Sequence, residues 1–470
     1  MTEEIHRAGT YRPVETRLSG SSPDGPVIDV LGIGFGPANL ALAIAILEQN
    51  EDGGGPHLTS QFLEKKPAFG WHPGMLIDGA SMQVSFLKDL VTLRNPTSRF
   101  SFLSYLHDKD RLIDFINHKC LFPSRIEFHD YLSWCAAQIP QQVHYGCEVV
   151  SGRPVVRDGY VTHFEVVARD QRRDGLMVIA ARNLVLAPGL TPRMPAGITL
   201  TPHVWHSHTL LEELADFAVT RPRRFIVLGA GQSAAEVVDY LHRSFIDAEV
   251  CALFSRFGYS QAEDSPFANR IFDPKTVDVV HGAPVEAKAA LMGYHANTNY
   301  SVVDVGLIEE LYRRSYQEKV QGVSRLRVLN FSQLAGARER RDGVEVTLRH
   351  LPSGQLSTLE ADALICATGY EPPNPLSLIS EVGPLLSSDD DGQLLVERDY
   401  RVTTGSEVVG GIYLCGGTEH SHGITSSLLS MAAVRAGEIV RSITGRVDAA
   451  AELSFVRTAE QVRNQRWECP

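Results

Sequence analysis

Two stretches of the chain repeat the same order of apolar and small residues. Each begins with a short apolar run, which predicts a buried strand, and continues into an alanine-rich run that favours a helix. The strands are predicted at residues 27–31 and 225–228, and the helices at 38–48 and 233–241. Because several glycines separate each strand from its helix, the pattern predicts two strand–turn–helix units.

The glycines in both turns have the spacing of a nucleotide-binding turn. Glycine lets the backbone approach a pyrophosphate, and the following helix offers free N–H groups and the positive end of its dipole. In the first turn a proline takes the third glycine position, which is tolerated because its missing N–H has no intrahelical partner. A turn without a ligand has the same local pattern, but two in one chain favour two bound dinucleotides. The predicted contacts are Gly32, Gly34, Gly36, Pro37, Gly229 and Gly231.

The residue after the second strand of each unit distinguishes the two dinucleotides. Glu64 ends the apolar run 61–64, and a carboxylate there can bind ribose hydroxyls. Its separation from the glycines is longer than usual because residues 50–56 (NEDGGGP) are interpreted as an inserted loop. Arg256 follows the strand at 248–254 and fits the 2′-phosphate of NADP; a solvated surface arginine is the alternative. The first site is therefore predicted to bind FAD and the second NADPH.

The remaining pattern predicts the elements between and after these units. Helices are expected at 100–107 and 125–138, antiparallel strands over 143–190, and a final helix from about Thr425. Few strand signals occur at about 264–320, which indicates an inserted helical segment. The predicted fold class is α/β, with two Rossmann-like dinucleotide-binding domains and this smaller helical segment.

Two similar turns are interpreted as crossings between the domains. They are Ala187-Pro-Gly189 and Ala367-Thr-Gly369, and ordinary structural turns would have the same local sequence. Thr368 and Gly369 are counted among the predicted cofactor-binding residues. The expected division is a mobile N-terminal arm (1–26), an FAD-binding domain (27–205 and 360–450), an NADPH-binding domain with the helical insert (206–359) and a C-terminal tail (451–470).

Composition narrows the class of protein. With 470 residues the chain is long enough for two or three domains, and a net charge of −12 argues against nucleic-acid binding. The seven cysteines form no C-x-x-C pair, so neither a zinc site nor a dithiol redox centre is indicated. We expect a cytoplasmic protein, since the N-terminus lacks an apolar signal region and no apolar run approaches the ~20 residues that span a bilayer.

The histidines are assigned no catalytic role. The run Trp205-His-Ser-His208 resembles part of a metal site, but no third ligand has suitable spacing, so no metal is predicted. No catalytic side chain is predicted at all, because the chemistry of a two-dinucleotide enzyme is carried by its cofactors.

Four longer motifs resemble one family. They are residues 82–102 (MQVSFLKDLVTLRNPTSRFSF), 264–274 (DSPFANRIFDP), 297–301 (NTNYS) and 422–430 (HGITSSLLS). In these the chain resembles the N-hydroxylating flavin monooxygenases, and specifically the ornithine N5-hydroxylases that supply hydroxamates to siderophores and related natural products. The resemblance runs from about residue 27 to 445.

The resemblance implies a substrate pocket in the helical insert and residues close to the two cofactors. Trp71 is similar to the aromatic that shields the flavin, and Arg256 matches less securely because the stretch from it to Asn269 is one residue shorter than in some relatives. The implied substrate-binding residues are Lys88, Asn269, Asn299, Leu428 and Ser430. The implied flavin neighbours are Trp71, His72, Met82 and Gln83, and the implied NADPH contacts are Gln232 and Ser233.

The resemblance also implies a reaction. NADPH reduces FAD, O2 adds to the reduced flavin at C4a, and the neutral side-chain amine of L-ornithine attacks the distal oxygen. Lys88 favours an amino-acid substrate because diamines have no carboxylate for it to bind. Lysine or diamine N-hydroxylation, another flavin monooxygenation, a non-hydroxylating FAD/NADPH oxidoreductase and an idle flavoprotein are the alternatives. Relatives also imply a homo-oligomer, with a tetramer favoured.

Overall fold

The computed structural model describes residues 25–217 and 221–446 of the chain. The predicted C-terminal tail and all but the last two residues of the predicted N-terminal arm lie outside the described residues. The structure therefore bears on the two nucleotide-binding units and the insert between them.

Strands and helices alternate around each glycine turn, and runs of several helices or several strands lie between and after these units. The helices are α1 (Pro37–Asp52), α2 (Phe102–Asp108), α3 (Leu112–His118), α4 (Arg125–Ala137), α5 (Leu210–Phe217), α6 (Gln232–Ser244), α7 (Thr276–Gly282), α8 (Val285–Tyr294), α9 (Val305–Gln321), α10 (Glu419–His422) and α11 (residues 432–446). The strands are β1 (Ile28–Ile33), β2 (Ser60–Glu64), β3 (Val143–Tyr145), β4 (Cys147–Arg157), β5 (Tyr160–Asp170), β6 (Gly175–Leu186), β7 (Thr191–Pro192), β8 (Val204–His206), β9 (Arg224–Leu228), β10 (Glu249–Leu253), β11 (Leu326–Leu329), β12 (Ser332–Arg340), β13 (Gly343–His350), β14 (Leu356–Ala361), β15 (Ala363–Cys366), β16 (Tyr370–Glu371) and β17 (Ile412–Leu414).

The first sheet has the strand order β3-β2-β1-β6-β5-β4, and β17 also pairs with β6. The long strand β6 is antiparallel to β5 in its first part and parallel to β1 and β17 in its last part. The predicted antiparallel strands are thus correct for β4, β5 and β6. The prediction is wrong for β3, which pairs parallel with β2, because residues 143–145 return to the sheet after α4 as in a crossover connection.

Helix α1 lies inside the first unit. Every residue from Asn39 to Ile46 is buried, since the helix has the first sheet on one side and further helices on the other. Its neighbours in the same hydrophobic core come from α2, α4 and α11. A helix that is apolar all round is expected in such a central position.

The second sheet has the order β11-β10-β9-β15-β8, and each of its neighbouring pairs is parallel. Helix α6 crosses from β9 to β10, and its buried face packs on these strands. A separate antiparallel sheet, β12-β13-β14, follows β11 and leads back into β15. Both nucleotide-binding units therefore contain the parallel strand–helix–strand arrangement of a Rossmann-like fold.

The chain passes between the two sheets at both predicted crossings. It leaves the first sheet after Leu186 and returns to it after Cys366, and the two passages pair as the short ribbon of β7 and β16. Strands β8 and β15 both belong to the second sheet. The sequence shows each turn but not which sheet the next short strand joins.

The predicted final helix starts later than expected. Instead of beginning near Thr425, the chain forms two 3₁₀ turns, Ile424–Ser427 and Leu429–Met431, before α11 starts at residue 432. Leu428 between them is extended. The buried Arg435 side chain donates hydrogen bonds to the carbonyl oxygens of Ser426 and Leu428, so these carbonyls need no helical partner.

The described segment from 264 to 320 is helical, as predicted. It consists of the 3₁₀ turn Ala268–Phe272, helices α7 and α8, the 3₁₀ turn Ala296–Thr298 and most of α9. Within the described ranges, no helix combines the length and the apolar character that crossing a bilayer requires.

Candidate functional site

The first glycine turn is built by close backbone contacts. Gly34 has φ +86°, and a Cβ on it would lie 2.2 Å from the carbonyl oxygen of Ala187. A Cβ on Gly32 would lie 2.3 Å from the ring of Phe62. Only glycine fits at these two positions, because one needs a left-handed conformation and both lack space for a side chain.

The same turn opens towards solvent at its helix end. Helix α1 begins at Pro37, with Gly36 as its N-cap, so proline takes the first helical position as the sequence analysis proposed. A Cβ on Gly36 would meet nothing within 4 Å. The N–H groups of the first helical turn have no intrahelical acceptor, and here they border open space that suits a pyrophosphate.

Glu64 stands beside this turn at the end of β2. Its side chain is buried, and its Oε2 accepts a hydrogen bond of 2.7 Å from the backbone N–H of Phe35. Its Oε1 accepts a bond of 2.9 Å from the N–H of Lys66. These bonds fix the carboxylate next to the glycines and leave further lone pairs for ribose hydroxyls.

The second glycine turn repeats this construction. Gly229 has φ +143°, and a Cβ on it would lie 2.4 Å from the carbonyl oxygen of Ala367. Helix α6 begins at Gln232 with Gly231 as its N-cap, and Ser233 follows in the first turn. The structure therefore puts a helix N-terminus at the second predicted dinucleotide site as well.

A loop of the insert approaches this second turn. The Gln232 Oε1 atom accepts a hydrogen bond of 2.8 Å from the N–H of Asp304, and Arg256 donates one of 2.7 Å to the carbonyl oxygen of Ser301. A Cβ on Gly231 would lie 3.5 Å from the Cα of Ser301. Arg256 and Gln232 are therefore both brought to the second turn, and the exposed guanidinium of Arg256 keeps donors for a phosphate.

Lys88 faces the insert. Its Nζ atom lies 5.9 Å from the centre of the Phe272 ring, and Phe272 belongs to the same 3₁₀ turn as Asn269. That turn contacts the turn Ile424–Ser427, which leads directly to Leu428 and Ser430. The structure thus assembles Lys88, Asn269 and the 424–430 region around one place.

A buried aspartate holds the backbone beside Lys88. Asp89 is 1% exposed, and its carboxylate accepts hydrogen bonds from the N–H groups of Val91, Thr92 and Phe102 at 2.9, 2.6 and 2.8 Å. Burial raises the pKa of this carboxyl, although the three backbone N–H groups oppose the shift. Sequence reasoning missed Asp89; the Asp-x-x-Thr spacing after Lys88 was the available signal for such a side-chain-capped turn.

The two predicted asparagines differ in their surroundings. Asn269 is half-buried and donates a hydrogen bond of 2.8 Å to the carbonyl oxygen of Asp264, which leaves its own Oδ1 free to accept one. Asn299 is exposed at the end of the turn Ala296–Thr298. Its neighbour Tyr300 donates a hydrogen bond of 2.7 Å to Glu419 Oε1, which joins this part of the insert to α10.

Helix α7 fixes the insert to the first unit through charged groups that sequence reasoning missed. Arg398 donates to Asp278 at 2.6 Å and to both carboxylate oxygens of Glu438 at 3.1 and 3.0 Å. His281 bonds through Nε2 to the carbonyl oxygen of Val396 at 2.9 Å. We call Asp278, Arg398 and Glu438 the α7 junction; nothing in the local sequence around these distant residues indicates that they meet.

His422 is enclosed next to this junction. It is 1% exposed, stacks on the ring of Tyr400 at 4.2 Å and contacts the ring of His281 at 5.1 Å. Burial, ahead of the neighbouring positive charges, lowers the pKa of His422 to about 3. The imidazole is therefore neutral at pH 7 and packs against the rings of Tyr400 and His281.

Trp71 and His72 lie at the contact between the two units. Their rings are 5.3 Å apart, and the His72 ring is 5.5 Å from that of Tyr370. His72 has φ +47°, and burial, followed by the charge of His208, lowers its pKa to about 4. His72 is therefore neutral at pH 7 and touches the crossing that follows Thr368 and Gly369.

The Thr368–Gly369 crossing is fixed by hydrogen bonds. The carbonyl oxygen of Gly369 accepts bonds of 3.0 Å from the N–H of Arg193 and from His206 Nε2. His206 Nδ1 accepts one from the N–H of His208, so both ring nitrogens of His206 are occupied by the backbone. Among the described residues, no group of three or more His, Cys, Asp and Glu side chains could hold a metal ion.

Met82 and Gln83 occupy the segment that leads to Lys88. Met82 is buried, and its N–H donates a hydrogen bond of 2.9 Å to the carbonyl oxygen of Pro123. Gln83 is exposed. The segment therefore runs from the hydrophobic core that also contains Trp71 to the turn that carries Lys88.

Comparison with known proteins shows relatives over nearly the whole chain. The family model for L-lysine 6-monooxygenase/L-ornithine 5-monooxygenase matches residues 26–372. The L-ornithine N(5)-monooxygenase of Pseudomonas aeruginosa is 38% identical over 422 residues, which cover 89% of this chain and 94% of that protein. The enzyme of the same name from Burkholderia cepacia is 40% identical over 428 residues, covering 89% and 95%.

A solved structure gives the same result. The ornithine N-hydroxylase of Kutzneria sp. 744, described with reduced FAD, NADP+ and L-ornithine, has a TM-score of 0.86 and 45% identity, covering 90% of this chain and all of that one. The two-unit α/β fold described above is thus shared with a solved structure over nearly the whole chain. The chain belongs to the L-lysine 6-monooxygenase/L-ornithine 5-monooxygenase family.

Proposed function

We propose that this protein is an NADPH- and O2-dependent flavin monooxygenase that converts L-ornithine to N5-hydroxy-L-ornithine. The observation that carries the proposal is the position of Lys88 opposite the turn of Asn269, which itself contacts the turn Ile424–Ser427. An ammonium group in that position can bind a substrate carboxylate as a point charge. The names of the most similar relatives support the same reaction.

The residues at both glycine turns fit the two cofactors. Gly32, Gly34, Gly36 and Glu64 would hold FAD, and Gly229, Gly231, Gln232, Ser233 and Arg256 would hold NADPH. FAD supplies the transfer of electrons from NADPH to O2 and the activation of O2. The chain supplies binding, orientation and a dry surrounding, to which the packed rings of Trp71, His72 and Tyr370 contribute.

The substrate residues have separate tasks in this proposal. Lys88 binds the carboxylate of ornithine, and the free Oδ1 of Asn269 accepts a hydrogen bond from its α-ammonium. Asn299 is a second contact, and Leu428 and Ser430 lie at the side-chain end of the pocket. Hydrogen bonds from Arg435 fix the 424–430 region. In this proposal, that region determines the length of the substrate side chain that the pocket accepts.

Ornithine is favoured over the other amines of this family. A diamine would leave Lys88 unpaired, whereas lysine keeps the carboxylate and differs from ornithine by one methylene, worth only ~1–3 kcal/mol in a pocket. The lysine 6-monooxygenase of Pseudomonas syringae is 34% identical, with a TM-score of 0.78, below the Kutzneria ornithine enzyme on both measures. Lysine is therefore the second candidate substrate.

The product would carry a hydroxylamine suited to acylation into a hydroxamate. We propose that it serves siderophore or related natural-product biosynthesis in the cytoplasm, that the protein is a homo-oligomer, and that the FAD-binding and NADPH-binding domains divide near the two crossings. A hydroxamate needs this oxygen on nitrogen before acylation, which accounts for an enzyme acting on the free amino acid.

The test is a comparison of four amines with the purified holoenzyme. L-Ornithine, L-lysine, putrescine and cadaverine are supplied with NADPH, and the hydroxylated amine is measured directly. We expect hydroxylated product chiefly from L-ornithine. If lysine or a diamine gave product faster than ornithine, that amine would be the substrate instead. NADPH oxidation without a hydroxylated product from any of the four amines would contradict the monooxygenase proposal.

A further inference from the structure

One face of α9 is exposed and apolar although the helix belongs to a packed part of the protein. Its buried face carries Leu311 and Glu318, which lie against α6 and β11. The opposite face is unusually apolar for a solvated surface: Tyr312 is 75% exposed, Tyr316 61% and Val320 71%. Val305 at the start of the helix and Val323 just past its end extend this face, which we call the α9 face.

The positions of these residues put them on one narrow stripe. Val305, Tyr312, Tyr316 and Val323 recur at spacings of seven, four and seven residues, which place side chains on the same side of a helix. Aromatic residues with a polar tip, such as tyrosine, are enriched in protein interfaces. A stripe of this composition is expected to be covered by another protein surface.

Two charged residues lie along the same stripe with opposite signs at its two ends. Glu309 is near the start of α9 and Lys319 is near its end, both exposed. Within the described part of the chain neither takes part in an ion pair, whereas Arg313 and Arg314 are both bound to Glu310. Glu309 and Lys319 are thus available to a partner.

The α9 face of one chain is complementary to the α9 face of a second copy that runs in the opposite direction. When two α9 helices lie antiparallel about a two-fold axis at the level of Arg314, residues equally distant from Arg314 on either side lie level with each other. Tyr312 then meets Tyr316, Glu309 meets Lys319 and Val305 meets Val323. A self-complementary surface of this kind is what a two-fold interface between identical chains requires.

We propose that the α9 face is an interface between two copies of this chain, packed antiparallel across a two-fold axis. The match of tyrosine with tyrosine, valine with valine and acid with base singles out a second copy as the partner. A helix pair is small compared with a standard interface, so exposed groups around the α9 face contribute to the same contact.

The inference does not depend on which amine is hydroxylated, and its test is the molecular mass of the full-length holoenzyme in solution. Light scattering after gel filtration is expected to give a multiple of the chain mass for the wild type. The double variant Tyr312→Glu, Tyr316→Glu is expected to halve that mass. Val285→Glu on α8, at an equally exposed apolar position, is the control and leaves the mass unchanged.

Charge reversal tests the antiparallel register independently of folding. Glu309→Lys and Lys319→Glu each place like charges opposite one another twice per interface and are expected to raise the concentration for half-assembly about tenfold. The combined variant restores both ion pairs with their signs exchanged, so its concentration for half-assembly is expected to be near the wild-type value. A single-chain mass for the wild type at about 50 μM, an unchanged mass of the tyrosine variant, or a combined variant no better than the single ones overturns the proposal.

Discussion

At the scale of single residues, Lys88 depends on a neighbour that holds its backbone. Asp89 binds three backbone N–H groups with its buried carboxylate and so fixes the turn from which Lys88 extends toward Phe272. The substrate-binding role of Lys88 stays a prediction. The structure adds the physical reason that such a flexible side chain can start from a defined position.

Replacement of Lys88 is expected to separate substrate binding from cofactor chemistry. In Lys88→Ala the carboxylate of ornithine loses its cation, so the KM for ornithine should rise about 10- to 100-fold, the cost of one charge-assisted hydrogen bond. Reduction of the flavin by NADPH in the absence of substrate should stay within about twofold of the wild type. Steady-state and stopped-flow measurements check both values.

A matched variant is Lys109→Ala, which removes an exposed lysine of the first unit that pairs with Asp130 of α4. It should change neither the KM nor flavin reduction. An unchanged KM in Lys88→Ala would remove Lys88 from the substrate site.

Gly34 offers a second single-residue prediction. Gly34→Ala places a Cβ 2.2 Å from the carbonyl oxygen of Ala187 and forces alanine to φ +86°, so the turn must open. We expect the purified variant to retain less than about half of the wild-type FAD per chain, because the turn no longer presents its N–H groups to the pyrophosphate. FAD absorbance per chain measures this.

The control for that variant is Gly293→Ala, since a Cβ on Gly293 would meet nothing within 4 Å. Wild-type FAD content is expected there. Full FAD content in Gly34→Ala would mean that the first turn does not hold the flavin.

The pH dependence of hydroxylation follows from the substrate. An alkyl ammonium has a pKa of ~10, so the neutral amine becomes more abundant as pH rises from 6 to 9. His72 and His422, with pKa values lowered to about 4 and about 3, stay neutral throughout this range and do not reverse the trend. Hydroxylated product per unit time under subsaturating ornithine should therefore increase between pH 6 and 9, and a flat profile would contradict a requirement for the neutral amine.

At the scale of elements, the turns between Gly423 and α11 show how side chains decide where a helix begins. Gly423 has φ +76°, and a Cβ there would lie 3.1 Å from Val280 of α7. The approach of α7 and the hydrogen bonds from Arg435 keep residues 424–431 in short turns. The sequence of this stretch alone predicts a helix. The two interactions that prevent one come from residues outside the stretch.

The α7 junction gives the prediction that belongs to this scale. Arg398→Gln removes the charge that joins Asp278 of the insert to Glu438, so α7 should sit less firmly against the turn of Leu428. We expect the KM for ornithine to rise about 3- to 10-fold and more NADPH to be consumed per hydroxylated product, from the loss of a half-buried ion-pair network. Product and NADPH are measured together.

The control is Arg153→Gln, which breaks the exposed pair with Glu165 between β4 and β5 without affecting the junction. Coupling equal to that of the wild type is expected there. If Arg398→Gln were as well coupled as Arg153→Gln, α7 would not position the substrate turn.

At the scale of the whole molecule, buried histidines link stability to pH. Burial is the first cause of the lowered pKa of His72, His206, His208 and His422. Because each of these histidines has a lower pKa in the folded protein than its ordinary value of ~6.5, the unfolded chain binds protons more readily below that pH. The free energy of unfolding therefore falls as pH drops from about 6.5 towards 4. The melting temperature should therefore be several degrees lower at pH 5 than at pH 7.5.

His422→Gln should reduce that difference, because glutamine cannot be protonated and has the groups to bond Ser421 and Arg398. His57→Gln in an exposed loop should leave it as in the wild type. Calorimetry at the two pH values measures the effect, and a melting temperature independent of pH would contradict the link to the buried histidines.

The amino-acid sequence by itself determined the two glycine turns, the strands and helices around them, and the family. Each of these can be recognised in a short stretch of the sequence: glycine where the backbone is crowded, an apolar run for a buried strand or helix, and motifs made of contiguous residues. The fold class follows from them, because two strand–turn–helix units in one chain predict two parallel sheets.

The tertiary structure alone decided which distant residues meet. Strands β8 and β15 join the second sheet, Arg398 links Asp278 to Glu438, and Tyr300 joins the insert to Glu419. Each depends on hydrogen bonds or packing between segments far apart in the chain, and no local pattern of apolar and polar residues specifies such a partner.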